Sequence, residues 1–251
     1  MNDILSVLRN KPDDYPFNIL DIENFHKETS YSRHFFQHLI KNHNKIDGDI
    51  LEFGTFNSKS ALSIAILLKK LKSKKKLYCF DCFSGFSSYH KYDHLNNFKK
   101  KFKIYRKHQI NKSIRSFLLN KKISVKNISS SFDFSSNSLP LLKRKIKYLD
   151  LDNIEIVVGQ FKNTIPKFFK TNVKIFSANI DSDLYEGYKL CLPYIYDNLQ
   201  KNGYIHLDKY YSLKFAGPKI ACDEFAKQRN FKITKNKSFK WEFERHCIIK
   251  K

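Results

Sequence analysis

The rhythm of apolar and polar residues changes repeatedly along this chain, and each rhythm predicts an element. "SRHFFQHLIKNH" sets Phe35, Phe36, Leu39 and Ile40 near one face of a helix, and the segment up to about Asp47 reads as helical. "GDILEFG" is a short apolar strand bounded by glycines. "SKSALSIAILLKKLK" follows as a helix whose last turn is rich in lysine, the end at which the helix dipole favours cations. "KLYCFDCF" is a second strand ending in Asp81. A basic block and a serine-rich loop around Ser129–Ser138 separate it from "SLPLLKRKIKYL", a helix with Pro140 in its first turn. "NIEIVVG" and "KIFSANIDSD" are the third and fourth strands. "DLYEGYKLCLPYIYDNLQKNG" is a helix that Gly203 should end and Pro193 can kink. "YIHLD" is a fifth strand and "PKIACDEFAKQR" a helix opened by proline. "FKITKNKSFKWEFERHCIIKK" alternates on both sides of Asn236-Lys237-Ser238, a hairpin signal.

Strands alternating with helices and closed by a hairpin predict an α/β fold with a mostly parallel sheet and one antiparallel edge. The expected organisation is one domain over 1–251, with a helical segment at 1–46 and a basic insertion at 87–138 that forms a lid or an acceptor wall. No internal repeat and no second domain is evident.

Composition narrows the class. With 251 residues, 41% hydrophobic and 15% aromatic, the chain can bury a substantial core. No apolar run approaches the roughly 18 residues that a membrane helix needs. The N-terminus carries Asp3, Arg9, Asp13 and Asp14 and no apolar leader, so a cytoplasmic protein is expected. Five cysteines, an odd number, suit reduced thiols, and the C-x-x-C of Cys79 and Cys82 looks like a buried strand end. The net charge of +23 invites a nucleic-acid reading, although lysine is spread along the whole chain. One block stands apart: Phe98 to Lys126 holds eleven Lys or Arg and no acid. Such a run can face phosphate, RNA or only water.

Candidate chemistry lies where strands end. The first strand runs through Gly54 into "TFNSKS" and then a helix, whose unpaired N–H groups can meet a ligand. Asp81 ends the second strand, where a carboxylate can take both hydroxyls of a ribose. Without G-x-G-x-x-G, the pair in one βαβ unit favours an adenosine-bearing cofactor over a dinucleotide.

Five blocks then occur in order: "GDILEFGTFNSKSALSIA", "LYCFDCFSGF", "VVGQFKNTIP", "NIDSDLYEGYKLCLPYIYDNLQKNGYIHLDKY" and "GPKIACDEF". They resemble the macrocin O-methyltransferase family, which methylates sugar hydroxyls with S-adenosylmethionine, over roughly Asp47 to Arg229. The resemblance implies a class I methyltransferase sheet. It assigns Glu52, Gly54, Thr55, Phe56 and Ser60 to the cofactor, Asp81 to its ribose, and Gly159 and Phe161 to its border, with Thr164 and Pro166 opening the next helix. Asp181 would touch the cofactor and bind a divalent metal, and Asp183 would be the general base. The plain alternative for "DSD" is a helix N-cap. The family's glycine pair before Ser60 is Ser58-Lys59 here, which bears on the geometry of that loop.

The same resemblance places two adjacent metal-binding aspartates where this chain reads "LDKYY". Asp208 matches the first, and Lys209 replaces the second. An ammonium removes an oxygen ligand and repels a cation, which argues against magnesium. Lys209 can sit in the metal's place, as a catalytic point charge between Asp181 and Asp208, or it can swing to solvent. Among the histidines, His206 points to the opposite sheet face as a core residue, while His90, His94 and His108 lie in or near the insertion.

The leading reading is an S-adenosylmethionine-dependent O-methyltransferase acting on a sugar hydroxyl in a glycoside or a phosphate-bearing, nucleotide-linked sugar. Two alternatives stand beside it: an RNA-modifying methyltransferase, and a cofactor-binding relative with impaired catalysis. Among partners, a small sugar acceptor is favoured over nucleic acid, and a homodimer is left open.

Overall fold

The structure is a computed structural model, and it describes residues 33–86, 90–93, 134–135, 137–210, 215–237 and 245–251. The expected helices before residue 33, the basic block, His94 and His108 lie outside the described residues.

A seven-stranded sheet has the order β3-β2-β1-β4-β5-β7-β6. The strands are β1 (Asp49–Phe53), β2 (Leu77–Asp81), β3 (Ile154–Val158), β4 (Ile175–Ile180), β5 (Leu199–Leu207), β6 (Thr234–Lys235) and β7 (His246–Ile249). The first five are parallel, and β7 runs antiparallel to both β5 and β6. The mostly parallel sheet with a C-terminal antiparallel edge is thus as expected. The order reverses between β1 and β4, so the carboxyl ends of β1, β2 and β4 border one crevice, where open α/β sheets bind ligands.

Helices α1 (Arg33–Asn42), α2 (Lys59–Lys70) and α3 (Leu139–Tyr148) cover one face, and α4 (Phe161–Phe168), α5 (Tyr185–Asn198) and α6 (Gly217–Gln228) the other. Each supplies a row of side chains to its layer. Phe35, Phe36 and Leu39 of α1 pack with Leu62 and Leu142, whereas Tyr188, Cys191 and Ile195 of α5 pack with Ile165 and Ile220. Both faces being covered explains why β4 is buried along its whole length. Among the described residues no helix is long and apolar enough to cross a membrane.

Several sequence expectations need correction. Ile40 is 42% exposed and does not share the buried face of α1. The helix ends at Asn198, and Leu199 to Gly203 already belong to β5, which is longer than "YIHLD". Leu199 pairs with Ile175 of β4, so sheet pairing overrides the glycine stop signal. The antiparallel pair is as expected, but Asn236 belongs to its ladder: Lys235 pairs with His246 and the amide of Asn236 donates to the Arg245 carbonyl. Helix α4 starts at Phe161, which puts Thr164 and Pro166 in its body.

Candidate active site

Each parallel strand delivers one chemical group to the crevice. β1 ends at Gly54, whose φ is 89°, and a Cβ there would lie 2.4 Å from the carbonyl oxygen of Asp181. Only glycine lets the turn after β1 pass so close to the end of β4. The loop continues through Phe56 and Ser58 at φ 40° and 66°. Ser58 therefore holds a left-handed conformation that costs a side-chain-bearing residue roughly 1–2 kcal/mol. The unusual Ser58-Lys59 pair thus keeps the loop's turn and carries its strain.

β2 ends at Asp81. Its Oδ2 accepts the amides of Thr55 (2.8 Å) and Phe56 (3.3 Å) and the Thr55 hydroxyl (3.0 Å), and its Oδ1 accepts the Phe83 amide at 2.8 Å. Asp81 so clamps the β1 loop to the β2 end, and most of its remaining acceptor capacity is on Oδ1. Beneath that loop Glu52 is fully buried, accepting the Ser60 hydroxyl and the Asn179 amide group (3.0 Å). Burial pushes its carboxyl up to about 7, against the pull of those two hydrogen bonds.

The ends of β4 and β5 bring the acids together. The Lys209 ammonium lies 2.5 Å from Asp181 Oδ1, 2.5 Å from Asp208 Oδ2 and 3.9 Å from Asp183 Oδ1. Asp183 takes a φ of 60°, a left-handed setting that aspartate tolerates better than most residues. Burial and the neighbouring acids raise the Asp181 carboxyl well above the usual range, against the pull of Lys209. Asp208 moves the other way: burial is outweighed by Lys209 and His206, which hold it well below. The three carboxylates outweigh burial at Lys209 and hold its ammonium charged. His206 is buried on the opposite face, its ring centroid 5.8 Å from that of Phe35 and its Nε2 3.5 Å from Asp208 Oδ1.

Two supports were not legible in the sequence. The buried Tyr188 hydroxyl donates to the Ile180 carbonyl and accepts the Lys209 amide at 3.0 Å, which staples the β4 and β5 ends together. Spacing along α5 marks Tyr188 as core and hides its hydroxyl. Asp93, from a short 3₁₀ turn at Lys91–Asp93, accepts the Tyr185 amide at the start of α5. That amide is the one an N-cap reading of "DSD" would look to, and it is taken from a distant segment.

Part of this set lines a cavity of about 750 Å³, a size common for small-molecule sites. From the expected set it takes in Gly54, Thr55, Phe56, Ser60 and Asp81. Phe161, Asp181, Asp183 and Lys209 line it too. Glu52, Gly159 and Asp208 do not line it. Phe86 and Phe134, on either side of the basic block in sequence, line it with Phe56; the Phe134 ring centroid lies 4.8 Å from that of Phe56 and 5.1 Å from that of Phe86.

The family model for macrocin-O-methyltransferase (TylF) matches residues 34–237. The chain belongs to that family. Among solved structures it is similar to the O-methyltransferase NovP, at 17% identity and a TM-score of 0.62, over 96% of this chain and 85% of that one. It is also similar to CalS11, a calicheamicin methyltransferase, at 16% identity and a TM-score of 0.59, over 98% and 89%. These likenesses show the class I methyltransferase fold. No match is found among curated proteins. By its family the chain is an S-adenosylmethionine-dependent O-methyltransferase.

The cavity fits that cofactor: it offers a glycine turn, a carboxylate at the β2 end and the aromatic Phe161. The acidic end does not fit a divalent ion. Magnesium demands a near-octahedral oxygen shell at about 2.1 Å. Here an ammonium fills the place between Asp181 and Asp208. Among the described residues no group of three or more His, Cys, Asp or Glu is arranged to hold a metal.

Proposed function

We propose that this enzyme methylates a hydroxyl of a sugar carried by a glycoside or by a phosphate-bearing, nucleotide-linked donor, in the cytoplasm. S-adenosylmethionine supplies the methyl group on a positively charged sulfur. The chain's own residues position the acceptor oxygen and remove its proton. Asp183 is the base: it lines the cavity beside Asp181 and Lys209, with its backbone held at a φ of 60°. Gly54, Thr55, Phe56, Ser60, Asp81 and Phe161 hold the cofactor, with Glu52 acting from beneath through Ser60.

The observation that carries this reading is the meeting of the β2 carboxylate and the Asp181–Asp183 pair in one cavity of a macrocin-O-methyltransferase family member. The sugar class draws support from a neighbour described as a TDP-rhamnose 3'-O-methyltransferase, at 15% identity and a TM-score of 0.55, over 98% of this chain and 91% of that one. Phosphate recognition is assigned to the cavity's Lys59 and Lys162 and to the segment 87–138, whose described flanks Phe86 and Phe134 wall the cavity. The whole of 1–251 acts as one domain. Incubation with methyl-labelled cofactor and a panel of glycosides, nucleotide-linked sugars and RNA tests the proposal. Label on a sugar hydroxyl is expected, and label confined to RNA would overturn it.

A further inference from the structure

Lys209 occupies a place that the chemistry of its surroundings would otherwise give to a metal. Three carboxylates converge there from two strand ends, and carboxylates so arranged need a positive charge among them. The ammonium lies 2.5 Å from one oxygen of Asp181 and 2.5 Å from one of Asp208, with Asp183 Oδ1 at 3.9 Å. Its side chain is 23% exposed, and that exposed part faces the cavity it lines. The backbone of the same residue is pinned by the Tyr188 hydroxyl. Lys209 is therefore held at both ends, which a lysine swinging to solvent is not.

We infer that the Lys209 ammonium is a built-in cation that replaces a divalent ion, and that it holds the acceptor oxygen for Asp183. This inference rests on the proposed methyl transfer only for its acceptor; the cation's placement stands on the geometry alone. An ammonium has three N–H donors. Two are engaged by Asp181 and Asp208, and the third is at hand for a ligand oxygen in the cavity. Asp183 lines the same cavity as Lys209, so an acceptor hydroxyl bound there can reach both side chains. It would accept from Lys209 and donate to Asp183. As the hydroxyl loses its proton to Asp183, the charge growing on its oxygen is met by the fixed ammonium. The oxygen's electron pair forms the bond to the methyl carbon, the carbon–sulfur bond breaks, and its electrons neutralise the sulfonium. The proton ends on Asp183, and no metal enters the balance. Unlike a divalent ion, which can chelate two neighbouring oxygens, one remaining N–H holds a single oxygen. An isolated hydroxyl is then a sufficient acceptor.

The test begins with cation binding, which needs no acceptor. Purified full-length chain, stripped with a chelator, is titrated with manganese(II) and followed by electron paramagnetic resonance. The wild type is expected to bind no stoichiometric manganese, and Lys209→Asp to gain a site that Asp208→Asn in the same chain removes. Stoichiometric manganese on the wild type, lost in Asp208→Asn, would overturn the inference whether or not an acceptor is known. A second arm uses the methyl-transfer assay. Turnover of the stripped wild type should be unchanged by magnesium, and Lys209→Gln, checked for a wild-type melting transition, should lose at least about 100-fold, the scale of a lost charge-stabilising donor. Restoration of stripped wild-type activity by magnesium would contradict it. Absence of methyl transfer to any sugar, with the manganese result as expected, would count against the sugar proposal and leave the built-in cation standing.

Discussion

Asp93 accepts the amide hydrogen of Tyr185 at 2.9 Å across 92 residues of sequence. The contact caps α5 from outside and fixes the helix that follows Asp181 and Asp183. Its space is reserved: a Cβ on Gly217 would lie 1.8 Å from Asp93 Oδ1, so α6 begins with the residue that admits the carboxylate.

Asp93 should make stability depend on pH. Burial raises its carboxyl from 3.8 to about 7, against the Tyr185 and His90 amides that favour the ionised form. The folded protein then binds this proton more tightly than the unfolded chain. Its contribution is complete below about pH 4 and fades as pH rises to about 7, by up to about 1.4 kcal/mol per pH unit. Glu52 is raised to about 7 by burial and should act in the same sense. Urea denaturation at several pH values should show a flatter profile for Asp93→Asn than for the wild type. Parallel profiles would contradict the assignment. Asp93→Ala, which removes the cap, should cost about 1–2 kcal/mol at pH 5.

Asp81 holds the loop after β1, and the proposed function gives it the cofactor as well. Asp81→Ala removes the acceptor for Thr55, Phe56 and Phe83 amides and should weaken S-adenosylmethionine binding by roughly 1.5–3 kcal/mol, the scale of hydrogen bonds to a charged group. Calorimetry would read this directly. Unchanged affinity in a folded variant would remove Asp81 from the binding site.

Tyr188→Phe isolates the staple. It leaves the Lys209 amide and the Ile180 carbonyl without this buried partner, at a cost of about 1–3 kcal/mol. Because Lys209 loses its backbone anchor, turnover should fall further than cofactor affinity. Equal stability of variant and wild type in urea would show that the hydroxyl does not hold the two strand ends together.

Much of the fold was legible in the sequence because buried parallel strands write themselves as short apolar runs with polar ends. "DILEF", "LYCFD" and "IFSANI" each stop at, or one residue before, the residue that lines the crevice: Gly54, Asp81 and Asp181. Asp81, Asp181, Asp183 and Lys209 are thus legible at strand ends from the sequence alone. What escaped was tertiary. Leu199 to Gly203 look like a helix stop but belong to β5, where Leu199 pairs with Ile175 of β4 and Gly203 accepts the Lys250 amide, because long-range pairing prevails over local turn preference. Asp93 sits in no recognisable motif, since its partner amide is 92 residues away. Asp208 matches a metal ligand by position, yet its oxygens face an ammonium and a histidine, an environment that no spacing rule reveals.

The central claim is that Asp183 takes the proton from a sugar hydroxyl during methyl transfer in this cavity. Asp183→Asn keeps the shape of the side chain and removes its basicity, so it tests that claim most directly. With saturating S-adenosylmethionine and an acceptor found in the panel, single-turnover methyl transfer should fall by about 10²–10⁴-fold, the range for loss of a positioned base. Cofactor affinity by calorimetry should stay within about threefold of wild type, because Asp183 is assigned to the acceptor. Wild-type transfer rates in the folded variant would contradict the account and move the base elsewhere in the cavity.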